Sequence, residues 1–306
     1  MNVSLTGLPI CFFHRLEPSP YLIASVLQAR FTNPNSPIIL FHDFSEIPPD
    51  LLAHNITCIP FSEYYGECGK LDELWFNISR NRSECELGSI QRWMVLRNYL
   101  RSENVSRCFS ADSDLLIYCN ITEAQKNFQT VDCTLADQAW SSLFLNNIAV
   151  LNVFHDFILE AFRRTSDVWW KILEAINIFN TREPIGNLAD TVLIKLFINE
   201  YAASHGFRWQ NTNEIVNGSV FCPDLRSSSL PFEMEPESQD PFDARPLRKT
   251  FWQNGLPHAR LRENGNLIRL NVLHFRGFLK HTHLVPCFSN FLEFLKTQEE
   301  AARVLK

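Results

Sequence analysis

The first 42 residues alternate between strand-like and helix-like patterns. Residues 9–15 are a short β-rich run, residues 21–31 place apolar side chains on one face of a helix, and residues 38–41 are continuously apolar. A strand, a helix and a strand within about 35 residues form a βαβ unit, whose two strands are parallel. The pattern therefore predicts an α/β fold that binds its ligand at the carboxyl ends of parallel strands.

Two aspartates interrupt a later apolar stretch, residues 106–118, at Asp112-Ser113-Asp114. Two carboxylates separated by one small residue, at the mouth of a buried strand, provide oxygen ligands that suit Mg²⁺ or Mn²⁺ against the phosphates of a ligand. Asp and Ser are also favoured in turns. On the triplet alone, a metal site and a simple turn are both acceptable interpretations.

Three further polar residues stand at positions with two explanations each. Arg92 lies on a helix predicted over residues 89–101, where an arginine is usually solvated. Residues 141–152 predict two buried strands interrupted by two amides, the second of which is Asn147, and buried amides need hydrogen-bond partners. Asp190 stands where another helix opens, so capping explains it as well as a functional role does.

The C-terminal third combines a polar stretch with a last short strand. Residues 227–248 are rich in Ser, Pro, Glu and Asp, and they predict a long mobile loop whose limits we set at about 223–262. A disordered insertion and a lid over a substrate site both fit such a loop. Residues 271–275 predict the last strand, which runs into Gly277 and Lys280. His274 on that strand is either structural or a ligand.

Composition narrows the choice of partner. The net charge of −6 argues against nucleic-acid binding, which needs a basic surface. No run of about 18 apolar residues predicts a membrane span, and the N-terminus lacks the pattern of a signal peptide. A cytoplasmic location is therefore expected. A secretory origin stays open because the chain carries seven Asn-x-Ser/Thr sequons, at Asn2, Asn55, Asn77, Asn81, Asn104, Asn120 and Asn217.

Three features in this order resemble one enzyme class. A helix with Arg92 precedes the Asp112-Ser113-Asp114 triplet, and a distant segment has the pattern His-x-x-Gly-x-x-Lys at residues 274–280. Together they resemble the GT-A nucleotide-sugar glycosyltransferases, especially the glycogenin-like group (glycosyltransferase family 8). The resemblance implies one Rossmann-like GT-A domain over residues 1–306, with a mixed, mostly parallel sheet flanked by helices. Residues 1–120 would be the nucleotide-binding half and residues 121–306 the acceptor half.

The resemblance also implies a role for each candidate residue. The metal, Mn²⁺ or else Mg²⁺, would be held by Asp112, Asp114 and His274. The cofactor-binding residues would be Phe12, His14, Arg15, Asp43, Arg92, Asp112, Gly277 and Lys280, with the donor base near residues 12–15 and 42–43. The catalytic candidates would be Asp190 and Asn147, which position the sugar or stabilise a cationic transition state.

The implied reaction moves a sugar from a nucleotide-sugar donor, a uridine diphosphate sugar by preference, to a glycan or other hydroxyl acceptor. Retention of configuration is expected; an inverting reaction would need a carboxylate base, for which Asp190 is the first candidate. Three local departures concern acceptor and stereochemistry: His281-Thr282-His283 follows the lysine in place of Pro, Asn147–Val150 matches loosely, and Asp190 is followed by Thr191.

Two alternatives belong to other classes. A metal-dependent nucleotidyl or phosphoryl transferase could use the same aspartates, but it should contain a glycine-rich phosphate loop, and the 10 glycines form neither GxGxxG nor GKS/T. A catalytically inactive sugar-binding protein with the GT-A fold would bind sugar without turnover. The sequence does not predict the donor sugar, the acceptor or the oligomeric state.

Overall fold

The computed structural model describes residues 6–76, 83–136, 139–182, 190–221, 224–226, 230–235 and 245–304. Its strands are β1 Ile10–His14, β2 Ile38–His42, β3 Thr57–Pro60, β4 Cys108–Asp112, β5 Leu115–Ile117, β6 Cys133–Leu135, β7 Ser142–Leu145, β8 Trp209–Asn211, β9 Ser219–Val220, β10 Met234–Glu235, β11 Leu247–Arg248, β12 Thr250–Gln253, β13 Leu256–Arg260, β14 Leu267–Leu270 and β15 Val272–His274.

Its helices are α1 Pro20–Thr32, α2 Pro49–Ala53, α3 Cys68–Leu74, α4 Ser83–Ser102, α5 Ile121–Gln125, α6 Ala149–Ala161, α7 Asp167–Arg182, α8 Asp190–Leu196 and α9 Val285–Val304. Short 3₁₀ turns cover Phe61–Tyr64 and Lys126–Phe128, and wider π turns cover Phe197–Ala202 and Lys280–Leu284.

Among the described residues, seven strands form one main sheet in the order β3-β2-β1-β4-β7-β6-β8. The pairs β1/β2, β2/β3, β1/β4 and β6/β8 are parallel, and the pairs β4/β7 and β6/β7 are antiparallel. The predicted α/β fold with a mixed, mostly parallel sheet is confirmed, and it is consistent with a GT-A fold.

The βαβ unit at the N-terminus forms because each piece has a clear local signal. Strands β1 and β2 are buried along their whole length, as expected for parallel strands covered on both faces. Ser19 caps α1 by accepting a hydrogen bond from the Leu22 amide, and Pro20 occupies the first helical turn. Asn33 ends the helix, and its amide donates to the Ala29 carbonyl at 2.9 Å.

The two faces of the sheet pack against different sets of helices. Phe12 lies in the apolar cluster that includes residues of α1 and α9, whereas Phe13 lies in the cluster that includes residues of α4 and α6. Successive side chains of a strand point to opposite faces, so neighbouring residues of β1 fall in different halves of the core.

Strand β1 lies between β2 and β4, so the chain leaves β1 toward one side and returns on the other. In an open α/β sheet this reversal creates a crevice at the carboxyl ends of the strands, where ligands bind. His14 ends β1 and Asp112 ends β4, and both therefore stand at the edge of this crevice.

Two sequence predictions are wrong, the second of them in part. Residues 141–152 are not a strand pair, because β7 ends at Leu145 and helix α6 begins at Ala149. The apolar run at residues 148–151 covers the N-cap and the first turn of that helix, where Val150 and Leu151 are buried. An apolar run this short does not distinguish a buried strand from a buried helix.

The second prediction, a long mobile loop over residues 223–262, is wrong in part, because residues 250–260 are not a loop. Its described part contains the β12–β13 hairpin, in which Thr250 pairs with Ala259 and Gln253 with Leu256. This hairpin joins β14 and β9 in a four-stranded sheet. Residues 223, 227–229 and 236–244 of the predicted loop lie outside the described residues.

Candidate functional site

A short two-stranded ladder joins the aspartate triplet to the C-terminal strand. β5 and β15 are antiparallel, and His274 pairs with Leu115, the residue after Asp114. The Phe275 amide donates to the Asp114 carbonyl at 3.0 Å. Residues from distant parts of the chain are thereby fixed side by side at the end of β4.

Asp112, Asp114 and His274 form a compact group in which one potential ligand atom from each residue lies within 4.8 Å of the others. His274 Nε2 is 2.9 Å from Asp114 Oδ1 and 3.4 Å from Asp112 Oδ2. Since a nitrogen lone pair and two carboxylate oxygens repel one another, this arrangement needs a proton or a cation between them. Two carboxylate oxygens and one imidazole nitrogen suit a divalent cation, so the residues fit the predicted metal site.

The surroundings keep Asp114 ionised. Burial would raise the pKa of Asp114, but His274, which also hydrogen bonds to it, and Lys280 lower the pKa to about 2. His274 is buried, and among the described residues none hydrogen bonds to its Nδ1 atom. A buried imidazole without a second partner is held in place by its Nε2 contacts.

Arg92 links the triplet to Asp190. Its Nη1 atom donates to Asp112 Oδ1 at 2.5 Å, and its Nη2 atom donates to Asp190 Oδ2 at 2.6 Å. Burial would lower the pKa of Arg92, but Asp190 and Asp112 outweigh this and raise it. Trp93 Nε1 also donates to Asp190 Oδ2, at 2.9 Å. The solvated-surface explanation for Arg92 is therefore wrong.

Lys280 provides a second cation on the other side of the triplet. Its Nζ atom is 3.6 Å from Asp114 Oδ2 and lies over the Tyr21 ring, 4.9 Å from the centroid. Burial would lower the pKa of Lys280, but Asp114 and Tyr21 raise it above the ordinary value. Gly277 has φ +59°, and a Cβ there would meet no protein atom within 4 Å. The backbone is therefore bare where the chain passes the cavity.

The end of β1 builds the opposite wall. His14 Nδ1 is 3.0 Å from Ser113 Oγ, so this histidine supports the middle of the triplet. Burial lowers the pKa of His14, and the charge of Lys280 lowers it further, whereas the Glu17 carbonyl and Asp114 act in the opposite direction. Burial therefore favours the neutral form of His14 beside the triplet.

Arg15 is held flat beside the same wall. Its Nε atom donates to Asp43 Oδ2 at 2.7 Å, and its Nη1 atom donates to Gln91 Oε1 at 2.7 Å. Its guanidinium lies 4.5 Å from the centroid of the Phe61 ring. A planar cation fixed on three sides in this way offers a flat polar surface to a ligand.

These groups surround one cavity of about 540 Å³. Of the predicted residues, the cavity is lined by His14, Arg15, Asp43, Gly277 and Lys280, and also by Arg92, Asp112, Asp114, Asp190 and His274. The structure thus brings together residues of β1, α4, β4, α8 and β15, together with Asp43 directly after β2.

Two predicted site residues do not line this cavity. Phe12 is fully buried in the core, so its ring cannot stack with a base; its neighbour Phe13, on the other face of β1, lines the cavity instead. Asn147 Nδ2 donates to Asp132 Oδ1 at 2.9 Å, and Asn147 Oδ1 accepts from the Ala149 amide at 3.0 Å. The geometry gives Asn147 a structural role at the start of α6.

The contributors that sequence reasoning missed include Trp93, which anchors Asp190, and Ser113, which contacts His14. Within residues 12–15 it named Phe12 and not Phe13 as a site residue. The alternation of side chains along β1 could have assigned Phe13 to the cavity face. Trp93 carried no such signal, because it belongs to the apolar stripe of its helix and reads as a core residue.

Comparison with known proteins gives matches at the level of structure. The sequence matches no protein-family model, and no curated protein matches it. Galactosyltransferase LgtC in complex with donor and acceptor sugar analogs matches with a TM-score of 0.42 and 10% identity, over 94% of this chain and 96% of that one. The apo form of mouse xyloside xylosyltransferase 1 matches with a TM-score of 0.39 and 10% identity, over 66% and 84%.

The PaToxG glycosyltransferase matches with a TM-score of 0.38 and 13% identity, over 63% of this chain and 69% of that one. All three are glycosyltransferases. The structural matches are therefore to the class that the sequence resemblance predicts, at low sequence identity. Among the described residues, no helix has the length and apolar character needed to cross a membrane.

Proposed function

We propose that this protein is a metal-dependent glycosyltransferase that uses a nucleotide-sugar donor. The observation that carries the proposal is the grouping of Asp112, Asp114 and His274 at the carboxyl end of β4, with Lys280 beside them. Carboxylates and an imidazole bind a divalent cation, with Mn²⁺ preferred because of the imidazole, and the lysine adds positive charge for a diphosphate.

The cavity suits a ligand with a base, a diphosphate and a sugar. Its volume of about 540 Å³ falls within the usual range for small-molecule sites. On this proposal the base lies by Arg15 and Asp43, and the diphosphate lies between Gly277, Lys280 and the metal residues. The expected donor is a uridine diphosphate sugar.

The chain's own groups then act on the leaving diphosphate and on the sugar. Lys280 stabilises the negative charge that develops on the diphosphate, and the bare backbone at Gly277 allows a close approach. A bound divalent cation would add Lewis-acid stabilisation of the same charge. Asp190, held by Arg92 and Trp93, presents a carboxylate to the sugar. It stabilises a cationic transition state if configuration is retained, and it serves as the base if configuration inverts.

The test is a donor screen. Purified protein with Mn²⁺ and a panel of nucleotide sugars, with small glycans as acceptors, should release a nucleoside diphosphate with at least one donor. The Asp114→Ala variant should lose this release and the Mn²⁺-dependent thermal shift with uridine diphosphate. If no donor is turned over and the nucleotide gives no metal-dependent shift, the proposal fails.

Other outcomes would select the alternatives. Binding of a nucleotide sugar without release would support the inactive sugar-binding protein. Release of inorganic diphosphate from a nucleoside triphosphate would support a nucleotidyl transferase.

A further inference from the structure

Arg92 occupies part of the candidate metal site before any metal binds. One oxygen of Asp112 accepts from Arg92 at 2.5 Å, and the other faces His274 at 3.4 Å. We infer that Arg92 competes with the divalent cation for Asp112 and so sets how tightly the free protein holds metal. This inference rests on the metal site of the proposed function.

The charges in the site predict that metal binds weakly without a nucleotide. Arginine stays protonated at any ordinary pH, so its charge on Asp112 is permanent. Asp114 has its own cation, Lys280, at 3.6 Å. Each metal-binding carboxylate therefore has a protein cation near it, and a second cation gains little Coulomb energy. A diphosphate would bring the negative charge that makes metal binding favourable, so metal and nucleotide should bind cooperatively.

Asp190 gives Arg92 a second carboxylate partner. It accepts from Arg92 at 2.6 Å, and the Trp93 indole, which donates to the same oxygen, fixes its position. If a cation takes Asp112, Arg92 keeps a carboxylate partner and is not left as an unpaired buried charge. This second partner lowers the cost of releasing Asp112.

The test measures Mn²⁺ binding to the free protein by electron paramagnetic resonance of unbound Mn²⁺, with no nucleotide present. The paired variant Arg92→Met with Asp190→Asn removes both members of the ion pair, which avoids a lone buried charge. Because a hydrogen bond to a charged group is lost, it should bind Mn²⁺ at least about tenfold more tightly than the wild type. A purely structural role for Arg92 predicts no gain in affinity.

Two single variants extend the test. Arg92→Lys keeps the charge, so its Mn²⁺ affinity should stay near that of the wild type. Asp190→Asn leaves Arg92 with Asp112 as its one charged partner among these residues, and its Mn²⁺ affinity should fall. This variant tests the inference even if the paired variant does not fold. Lys126→Met, which removes a surface cation bonded to Glu123, is the matched control and should bind Mn²⁺ as the wild type does.

The outcomes separate this inference from the function it rests on. If the folded paired variant binds Mn²⁺ no more tightly than the wild type, or if Asp190→Asn binds it more tightly, the inference is overturned. If Asp114→Ala leaves Mn²⁺ binding intact, the metal site itself is elsewhere and the proposed function fails. If the paired variant binds Mn²⁺ more tightly than the wild type, and adding Asp114→Ala to it abolishes that binding, the result supports both the inference and the proposed metal site.

Discussion

Asp114 and His274 are 160 residues apart in the chain, yet Asp114 Oδ1 and His274 Nε2 lie 2.9 Å apart. The contact depends on the β5–β15 ladder, which sets His274 opposite Leu115, and on the hydrogen bond from the Phe275 amide to the Asp114 carbonyl. The candidate metal site is therefore fixed by the pairing of two strands, with Asp114 in the short turn between β4 and β5.

Asp114→Asn should abolish metal binding while keeping the fold. The amide has the same shape as the carboxylate but carries no charge, so we expect nucleoside diphosphate release to fall by about 100-fold or more. The stabilisation of the folded protein by Mn²⁺ should disappear in this variant. Thermal melts with and without Mn²⁺ and a release assay would measure both effects. Asp50→Asn, an exposed aspartate on α2, is the control, and an Asp114→Asn variant with a normal Mn²⁺ shift would contradict the assignment.

Gly277→Ala should reduce donor affinity for a reason that can be separated from strain. At φ +59° an alanine costs about 1–2 kcal/mol, and its Cβ would also project where the diphosphate approaches. A Cβ added at Gly206, which has φ +72°, would likewise meet no protein atom within 4 Å, but Gly206 does not line the cavity. Gly206→Ala should therefore show a similar loss of stability with an unchanged KM for the donor. Equal KM values for the two variants would argue against a diphosphate next to Gly277.

Lys280→Met should lower kcat/KM by about 100-fold, because a cation aimed at the leaving diphosphate is lost. Lys280→Arg keeps the charge and should recover part of the activity. Steady-state kinetics with the best donor would measure the loss. Lys126→Met, on the surface of the chain, should match the wild type. If Lys280→Met retained full kcat/KM, the lysine would be structural.

His42 should make folding stability depend on pH. Its Nδ1 atom accepts from the Phe44 amide at 3.1 Å, and burial lowers its pKa, although Asp43 raises it. The folded protein then binds fewer protons at this site than the unfolded chain, so the free energy of unfolding should fall as the pH drops through about 6.5, the unfolded value. Urea denaturation at pH 7.5 and 5.5 would measure the decrease.

His42→Asn is the informative variant for that measurement. Asparagine can accept from an amide two residues later, so it should keep the turn and remove the contribution of His42 to the pH dependence. His42→Phe should be less stable at both pH values, because the Phe44 amide loses its acceptor. An unchanged pH slope in His42→Asn would show that other groups cause the decrease.

Sequence patterns were reliable where one local signal decided the outcome. The pattern of the βαβ unit is clear because two strand-like runs flank a helical apolar face within residues 9–41. They failed at residues 148–151, where a short apolar run fits a strand and a helix equally well. They also failed for Phe12, whose position in the chain did not reveal which face of β1 it occupies. They also missed the β12–β13 hairpin inside the predicted loop, although Asn254-Gly255, a sequence typical of hairpin turns, joins its two strands.

The sequence by itself determined the α/β class, the aspartate pair at a strand end and the His-x-x-Gly-x-x-Lys segment, because each depends on neighbours in the chain. Tertiary structure decided which of these residues meet. The pairing of β5 with β15 brought His274 to Asp114, and the packing of α4 and α8 placed Arg92 between Asp112 and Asp190. Of these contacts, His274–Asp114 and Arg92–Asp190 join residues 160 and 98 positions apart, and no local pattern encodes them, since they form only when the strands and helices pack together.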